Sequence, residues 1–184
     1  MEIQKNMKWF KFALLSTALI SSQAMSASWL LTYSKDEMRG TTEKILQTNS
    51  KRPVDLQPPY QGGSWLAMVL RSPRVELKEG ENPDNIQLDK AILIITKGQF
   101  NCPSYDGCHI NVKFDDEKIQ KYKTLKPNNG STDVIYLENP KEFLQDIAKH
   151  KKLIIEADFF QSGARQFTFD LNGYSTPEIN PESE

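Results

Sequence analysis

Two cysteines, Cys102 and Cys108, and two histidines, His109 and His150, are all that 184 residues hold of thiol and imidazole ligands. That scarcity removes several chemistries at once. A zinc site built on both thiolates and His109 lacks a fourth ligand, because His150 belongs to a different segment. Five residues separate the cysteines, so the redox-active C-x-x-C spacing is missing. A nucleophile elbow of the G-x-S-x-G type is missing too: Ser64 follows Gly62-Gly63, but Trp65 stands beyond it. Neither histidine has a partner in sequence that would make a Ser-His-Asp triad. No catalytic residue, metal or cofactor is therefore expected. Charge of one sign is also lacking, with 23 Lys+Arg against 24 Asp+Glu. Such a balance offers no broad field to a phosphate backbone, which excludes nucleic acid as an expected partner. No apolar run reaches the roughly 20 residues that a membrane-spanning helix needs.

What is present begins with a basic head. Lys5, Lys8 and Lys11 precede the apolar run Phe12-Ala13-Leu14-Leu15-Ser16-Thr17-Ala18-Leu19-Ile20, and small residues follow up to Ala27. Those three regions in that order read as a secretory signal peptide over residues 1–26. Ala24 and Ser26 suit cleavage before Ala27, Ser22 and Ala24 suit cleavage before Met25, and Met7 heads a complete n-region of its own. No cysteine stands near the cut, which disfavours a lipoprotein. Export predicts a periplasmic or secreted bacterial protein. Losing Lys5, Lys8, Lys11 and Glu2 leaves 20 basic and 23 acidic residues, a net charge of −3. The expected organisation is then one domain over residues 27–174 and a disordered polar tail over residues 175–184.

An oxidising compartment turns two cysteines into an expected disulfide. The segment from Cys102 to Cys108 is turn chemistry (Pro103, Asp106, Gly107) between apolar runs, so the bridge is expected to clamp the mouth of a β-hairpin. Its first strand would be Ala91–Thr96, continuing to Phe100. Its second would place Ile110, Val112 and Phe114 inward and His109, Asn111 and Lys113 outward. Trp65–Arg71 reads as another central strand, apolar on both faces. Trp29–Tyr33, Thr41–Gln47 (as an edge), Lys118–Leu125, Asp133–Leu137, Leu153–Phe160 and Gln166–Leu171 read as further strands. The segment from Val54 to Gly63, with Pro58-Pro59 and Gly62-Gly63, reads as a loop, and Ser72–Asp89 as polar turns.

One helix is signalled. Asn139 is placed as N-cap, Pro140 as first helical residue and Glu142 at the capping-box position. Phe143, Leu144, Ile147 and Ala148 then fall on one stripe. Many short strands with this one helix in the C-terminal half predict a mainly β fold, an antiparallel β-sandwich or open barrel.

Candidate binding residues are aromatic and guanidinium. Tyr60, Trp65 and Tyr105 suit a carbohydrate, peptide or protein surface, and Arg71 and Arg165 suit an acidic group on a partner. Trp29 and Phe100 belong to the same aromatic set. Asp115-Asp116-Glu117 lacks the alternating spacing of a calcium loop and reads as a solvated turn.

Several segments resemble an uncharacterised family of small periplasmic proteins from proteobacteria. They are Trp29 with Asp36-Glu37-Met38-Arg39-Gly40, Pro59-Tyr60-Gln61-Gly62-Gly63, Lys97-Gly98-Gln99-Phe100-Asn101-Cys102, Cys108 to Asp116, and Arg165 to Asp170. More distantly, the opening motif looks like that of accessory proteins of type VI secretion clusters. The Phe-x-Cys…Cys-x-Val element is similar to invasion-associated locus B proteins. These resemblances imply an accessory or binding role in the cell envelope and bring no catalytic residues. The expected function is non-enzymatic binding of another macromolecule, a secretion component or a toxin to be neutralised. A small-ligand or glycan-binding module is the alternative, and a hydrolase using Asp115 and Asp116 a third.

Overall fold

The computed structural model describes residues 29–103 and 107–174. The expected signal peptide, the polar tail and Tyr105 lie outside the described residues. The strands are β1 (Leu30–Asp36), β2 (Thr41–Asn49), β3 (Leu66–Arg71), β4 (Val75–Glu76), β5 (Lys90–Ile95), β6 (Cys108–Phe114), β7 (Gln120–Leu125), β8 (Val134–Leu137), β9 (Lys152–Phe159) and β10 (Gly163–Asp170). A 3-10 turn spans Pro83–Asn85, and one α-helix, α1, spans Pro140–Lys149. No helix among the described residues is long and apolar enough to cross a membrane.

All ten strands join one antiparallel sheet in the order β1-β2-β3-β5-β8-β7-β6-β9-β10, with β4 beside β2. The sheet does not close, but it curls until its two halves share one core. Across the gap the Lys51 N–H donates to the Thr168 carbonyl at 2.6 Å, the Lys51 ammonium meets Asp170 at 3.3 Å, and the Trp29 and Tyr174 rings lie 5.0 Å apart. The mainly β expectation therefore holds, and the structure is nearer the open barrel than two separate sheets.

Period-two alternation sets what faces inward. Leu66, Met68 and Leu70 of β3, Ile110, Val112 and Phe114 of β6, and Phe167 and Phe169 of β10 all enter the core. Each such side chain contributes about 1.5–3 kcal/mol of burial. Helix α1 adds Phe143, Leu144 and Ile147, and the Phe143 ring packs on Phe114 and Tyr122. Asn139 does stand at the N-cap, yet its side chain makes no capping hydrogen bond. Pro140, with its preset φ, starts the helix there.

Two expectations are corrected. Thr41–Gln47 is not an edge, because β2 lies between β1 and β3. The hairpin pairing Ala91–Phe100 with the strand after Cys108 does not form. Strand β5 already has β3 and β8 on its two edges, while β6 pairs with β7 and β9. The chain leaves β5 at Gly98 and Phe100 bridges to Phe159 of β9 instead. Gly98 is required at that exit. Its φ is 131°, and a Cβ there would stand 2.6 Å from Leu56 Cδ1. The Cys102–Cys108 disulfide forms, with its Cα atoms 4.6 Å apart, and staples this crossing rather than a hairpin mouth.

Candidate functional site

An apolar concavity runs beside α1. Its volume is about 500 Å³, and its walls are Leu88, Pro140, Leu144, Ala148 and Tyr174, with Gln87, Asp89, Asn139, Lys141 and Gln145 at the rim. The topology explains it. The segment leading into β5 and the segment leaving β8 come together where β5 and β8 pair, and α1 lies over that end of the barrel. Ala148 continues the helix's apolar stripe but is exposed, and its small side chain leaves the groove open. Tyr174 closes the far wall under the Trp29 ring. The Tyr174 hydroxyl and the Trp29 indole N–H are both buried, and neither has a hydrogen-bond partner among the described residues. Such groups normally find one, and an unmet buried donor costs about 1–3 kcal/mol. Burial pushes the Tyr174 pKa up to about 12, so the phenol is a neutral donor at physiological pH.

The residues chosen from sequence do not gather there. Tyr60 accepts a hydrogen bond from Gln99 at 2.8 Å, and Trp65 is partly exposed just before β3. Arg71 lies on the same face as Trp65 but six residues along, about 20 Å away at strand rise. Its guanidinium is paired with Glu43 at 2.7 Å. Arg165 sits on β10 and donates to the Ala164 carbonyl. Trp29 packs on Tyr174 and Phe100 on Phe159.

A second polar cluster lies in β2, where Glu43 and Lys44 are adjacent and both buried. They point to opposite faces of the strand. Burial works against the Glu43 carboxylate, but Arg71 and Arg74 outweigh it and hold its pKa below the usual range. Lys44 donates from Nζ to the Asp84 carbonyl at 2.7 Å, and burial lowers its pKa despite the nearby Asp84 charge. The Tyr33 hydroxyl bonds the Asp84 carboxylate. These bonds pin the Ser72–Asp89 excursion onto the barrel and so fix Gln87 and Leu88 in the groove wall.

The acidic turn does more than meet solvent. Asp115 accepts from the Lys152 N–H at 2.9 Å and more weakly from Lys151, and Glu117 meets His150 at 3.1 Å. Asp115 and Glu117 thus tie the β6–β7 turn to the end of α1, while Asp116 faces solvent. No group of three or more metal-ligating side chains occurs among the described residues.

On the outer face of the sheet, a bar of side chains crosses four strands. Asn111 is registered against Lys121 on β7 and Glu156 on β9, and Glu156 against Gln166 on β10. Asn111 donates to the Glu156 carboxylate at 2.9 Å, and Gln166 donates to its other oxygen at 2.7 Å. Those bonds, Gln166 first, hold the Glu156 pKa low and keep it a charged acceptor.

Comparison with models of protein families, with curated proteins and with solved structures finds no match for this chain. The groove and the bar were missed from sequence for different reasons. Leu88 and Tyr174 gave no signal outside their polar surroundings. Asn111 and Gln166 were visible as outward residues, but nothing in sequence registers them against Glu156.

Proposed function

We propose that this chain is an exported, non-enzymatic binding protein that seats a small apolar-bodied ligand carrying a hydrogen-bond acceptor in the groove beside α1. The observation that carries this is a groove of about 500 Å³ walled by Leu88, Pro140, Leu144, Ala148 and Tyr174. That volume lies within the roughly 300–1,000 Å³ of small-molecule sites. Leu88, Leu144 and Ala148 supply apolar contact, and Lys141 with the amides of Asn139 and Gln145 at the rim would donate to a carbonyl or carboxylate oxygen. Export rests on the basic head and apolar run of residues 1–26, and places the protein in the periplasm or outside the cell.

Fluorescence titration with anilinonaphthalene sulfonate, displaced by decanoate, tests the groove. Ala148 is exposed, so Ala148→Phe fills the space without disturbing the core. The expected result is displaceable binding by the wild type and at least about tenfold weaker binding by A148F. Equal binding by both overturns the assignment.

A macromolecular partner in the envelope, a secretion component or a toxin, is the second reading, and one observation favours it. Among the described residues strand β1 pairs with β2 alone, and Leu30 (59 %) and Leu31 (42 %) are exposed along it. An open edge of this kind accepts an added strand. Capture of a partner from periplasmic extract should then fail when Leu30 and Leu31 are both changed to Lys.

A further inference from the structure

We propose that the outer face of β7-β6-β9-β10 is a second binding site, separate from the helix groove, for a neutral glycan chain of two or more sugar rings. The bar Asn111–Glu156–Gln166 is a ridge with a cleft on either side. One cleft, of about 170 Å³, is lined by His109, Lys121 and Asp158 together with Ala164. The other, of about 250 Å³, is lined by Lys113, Ile119 and Ile154. Asn111 and Glu156 line both.

The chemistry of these linings selects the ligand class. A sugar hydroxyl is donor and acceptor at once, so vicinal hydroxyls need donors and acceptors side by side. The ridge supplies them: carboxylate oxygens from Glu156, and amides from Asn111 and Gln166 that carry both kinds of atom. Lys121 and Asp158 add one charge of each sign in the first cleft. An anion would meet Glu156 and Asp158 there, and a cation Lys121, which leaves a neutral polyhydroxyl compound as the matched occupant. The second cleft differs in having Ile154 and the well exposed Ile119, apolar surface that suits the C–H face of a pyranose ring. Phe160 stands exposed in the turn that follows β9, two residues beyond Asp158 in sequence. Aromatic rings of this kind stack on sugars.

The first cleft exists because of Ala164. It is registered against Asp158, and its methyl group leaves open the space that a larger outward side chain would cover. Alanine is among the residues depleted in strands. The position therefore gives up strand preference for an opening.

The test is an amide-resonance titration of the protein with cellobiose, maltose and N,N′-diacetylchitobiose. Binding through a shallow site of this size is expected at a Kd on the order of 1 mM. The expected result is saturable shifts confined to residues 109–113, 154–158 and 164–168 with at least one disaccharide. Ala164→Leu, at an exposed strand position, should weaken binding by about tenfold, as should Asn111→Ala, which breaks the ridge. Ala148→Phe should leave the titration unchanged, since it blocks only the groove. Absence of saturable shifts with all three disaccharides, or shifts that A164L leaves intact, overturns the proposal.

Discussion

His150 predicts a stability change with a definite sign. It follows the last turn of α1 and stacks on Phe114, ring centroids 5.0 Å apart. Its Nδ1 lies 2.7 Å from the Asp146 carbonyl and its Nε2 3.1 Å from the Glu117 carboxylate. Both partners only accept, so both ring nitrogens must donate, and only the imidazolium does that. Burial opposes the charge. The Asp146 carbonyl, the Glu117 bond and the charges of Glu117 and Asp115 outweigh it, and the pKa rises above its ordinary 6.5. The other charges at this corner are Lys149, which pairs with Asp146, and Lys151 and Lys152, whose backbones hold Asp115.

A group whose folded pKa is raised binds more protons folded than unfolded. Its stabilisation is therefore complete below the unfolded pKa and is lost as pH rises through the folded one. Glu117 is 52 % exposed, so its ion pair is worth only about 0.5 kcal/mol. The bond to a carbonyl at the negative end of a helix adds about 1 kcal/mol. The pH-dependent part is then about 1.5 kcal/mol, or about 4 °C in Tm for a domain near this size. Urea unfolding of wild type and His150→Gln, followed by circular dichroism from about pH 5 to pH 9, isolates it, because every other group is common to the two proteins. Wild type should lead by the larger margin at low pH, and the margin should shrink as pH rises. A margin that does not vary with pH, or that grows with it, would refute the two-acceptor reasoning.

Replacing both Cys102 and Cys108 by serine should lower stability by about 2 kcal/mol without altering the sheet, read as a shift in the urea midpoint with unchanged slope. Gly98→Ala forces a Cβ against Leu56 at a positive φ and should cost about 2–3 kcal/mol by the same assay; a neutral outcome would mean that the crossing after β5 is misplaced. Tyr174→Phe removes a hydroxyl with no partner among the described residues, so it should be neutral or stabilising by up to about 1 kcal/mol without ligand, whereas clear destabilisation in calorimetry would show that the hydroxyl has a partner. Lys44→Ala should destabilise by about 3 kcal/mol, because it strips the buried stem and leaves the Asp84 carbonyl unpaired.

Period-two alternation was legible wherever one face of a strand meets the core, as in β6 with Ile110, Val112 and Phe114. Helix α1 was legible from Pro140 and the spacing of Phe143, Leu144 and Ile147. Pairing order was not. Adjacent runs joined by turn residues look like a hairpin, and only the occupied edges of β5 exclude one between β5 and β6. Thr41–Gln47 read as an edge, whereas β2 lies between β1 and β3. Glu43 and Lys44 are buried against Arg71 and the Asp84 carbonyl, partners 28 and 40 residues away. Disulfide formation followed from compartment and residue count, needing no pairing partner beyond the loop itself. The sites were least legible, since a groove wall drawn from Leu88, Ala148 and Tyr174 exists only after the excursion, the helix and the end of β10 have met.

Both openings depend on an alanine at an exposed position, Ala148 on the helix and Ala164 on β10. Packing gives no reason for small residues there, because neither side chain enters the core. At Ala148 helix propensity alone accounts for the choice, alanine being the best helix former. At Ala164 propensity argues the other way, since β-branched and aromatic residues suit an outward strand position better. The two alanines therefore carry unequal weight. If A164L proves more stable than the wild type while losing disaccharide binding, the fold accepts a larger side chain at that position and the site does not. If A148F does the same for the groove, the conclusion is weaker, because phenylalanine lowers helix propensity and any gain in stability must come from filling the groove.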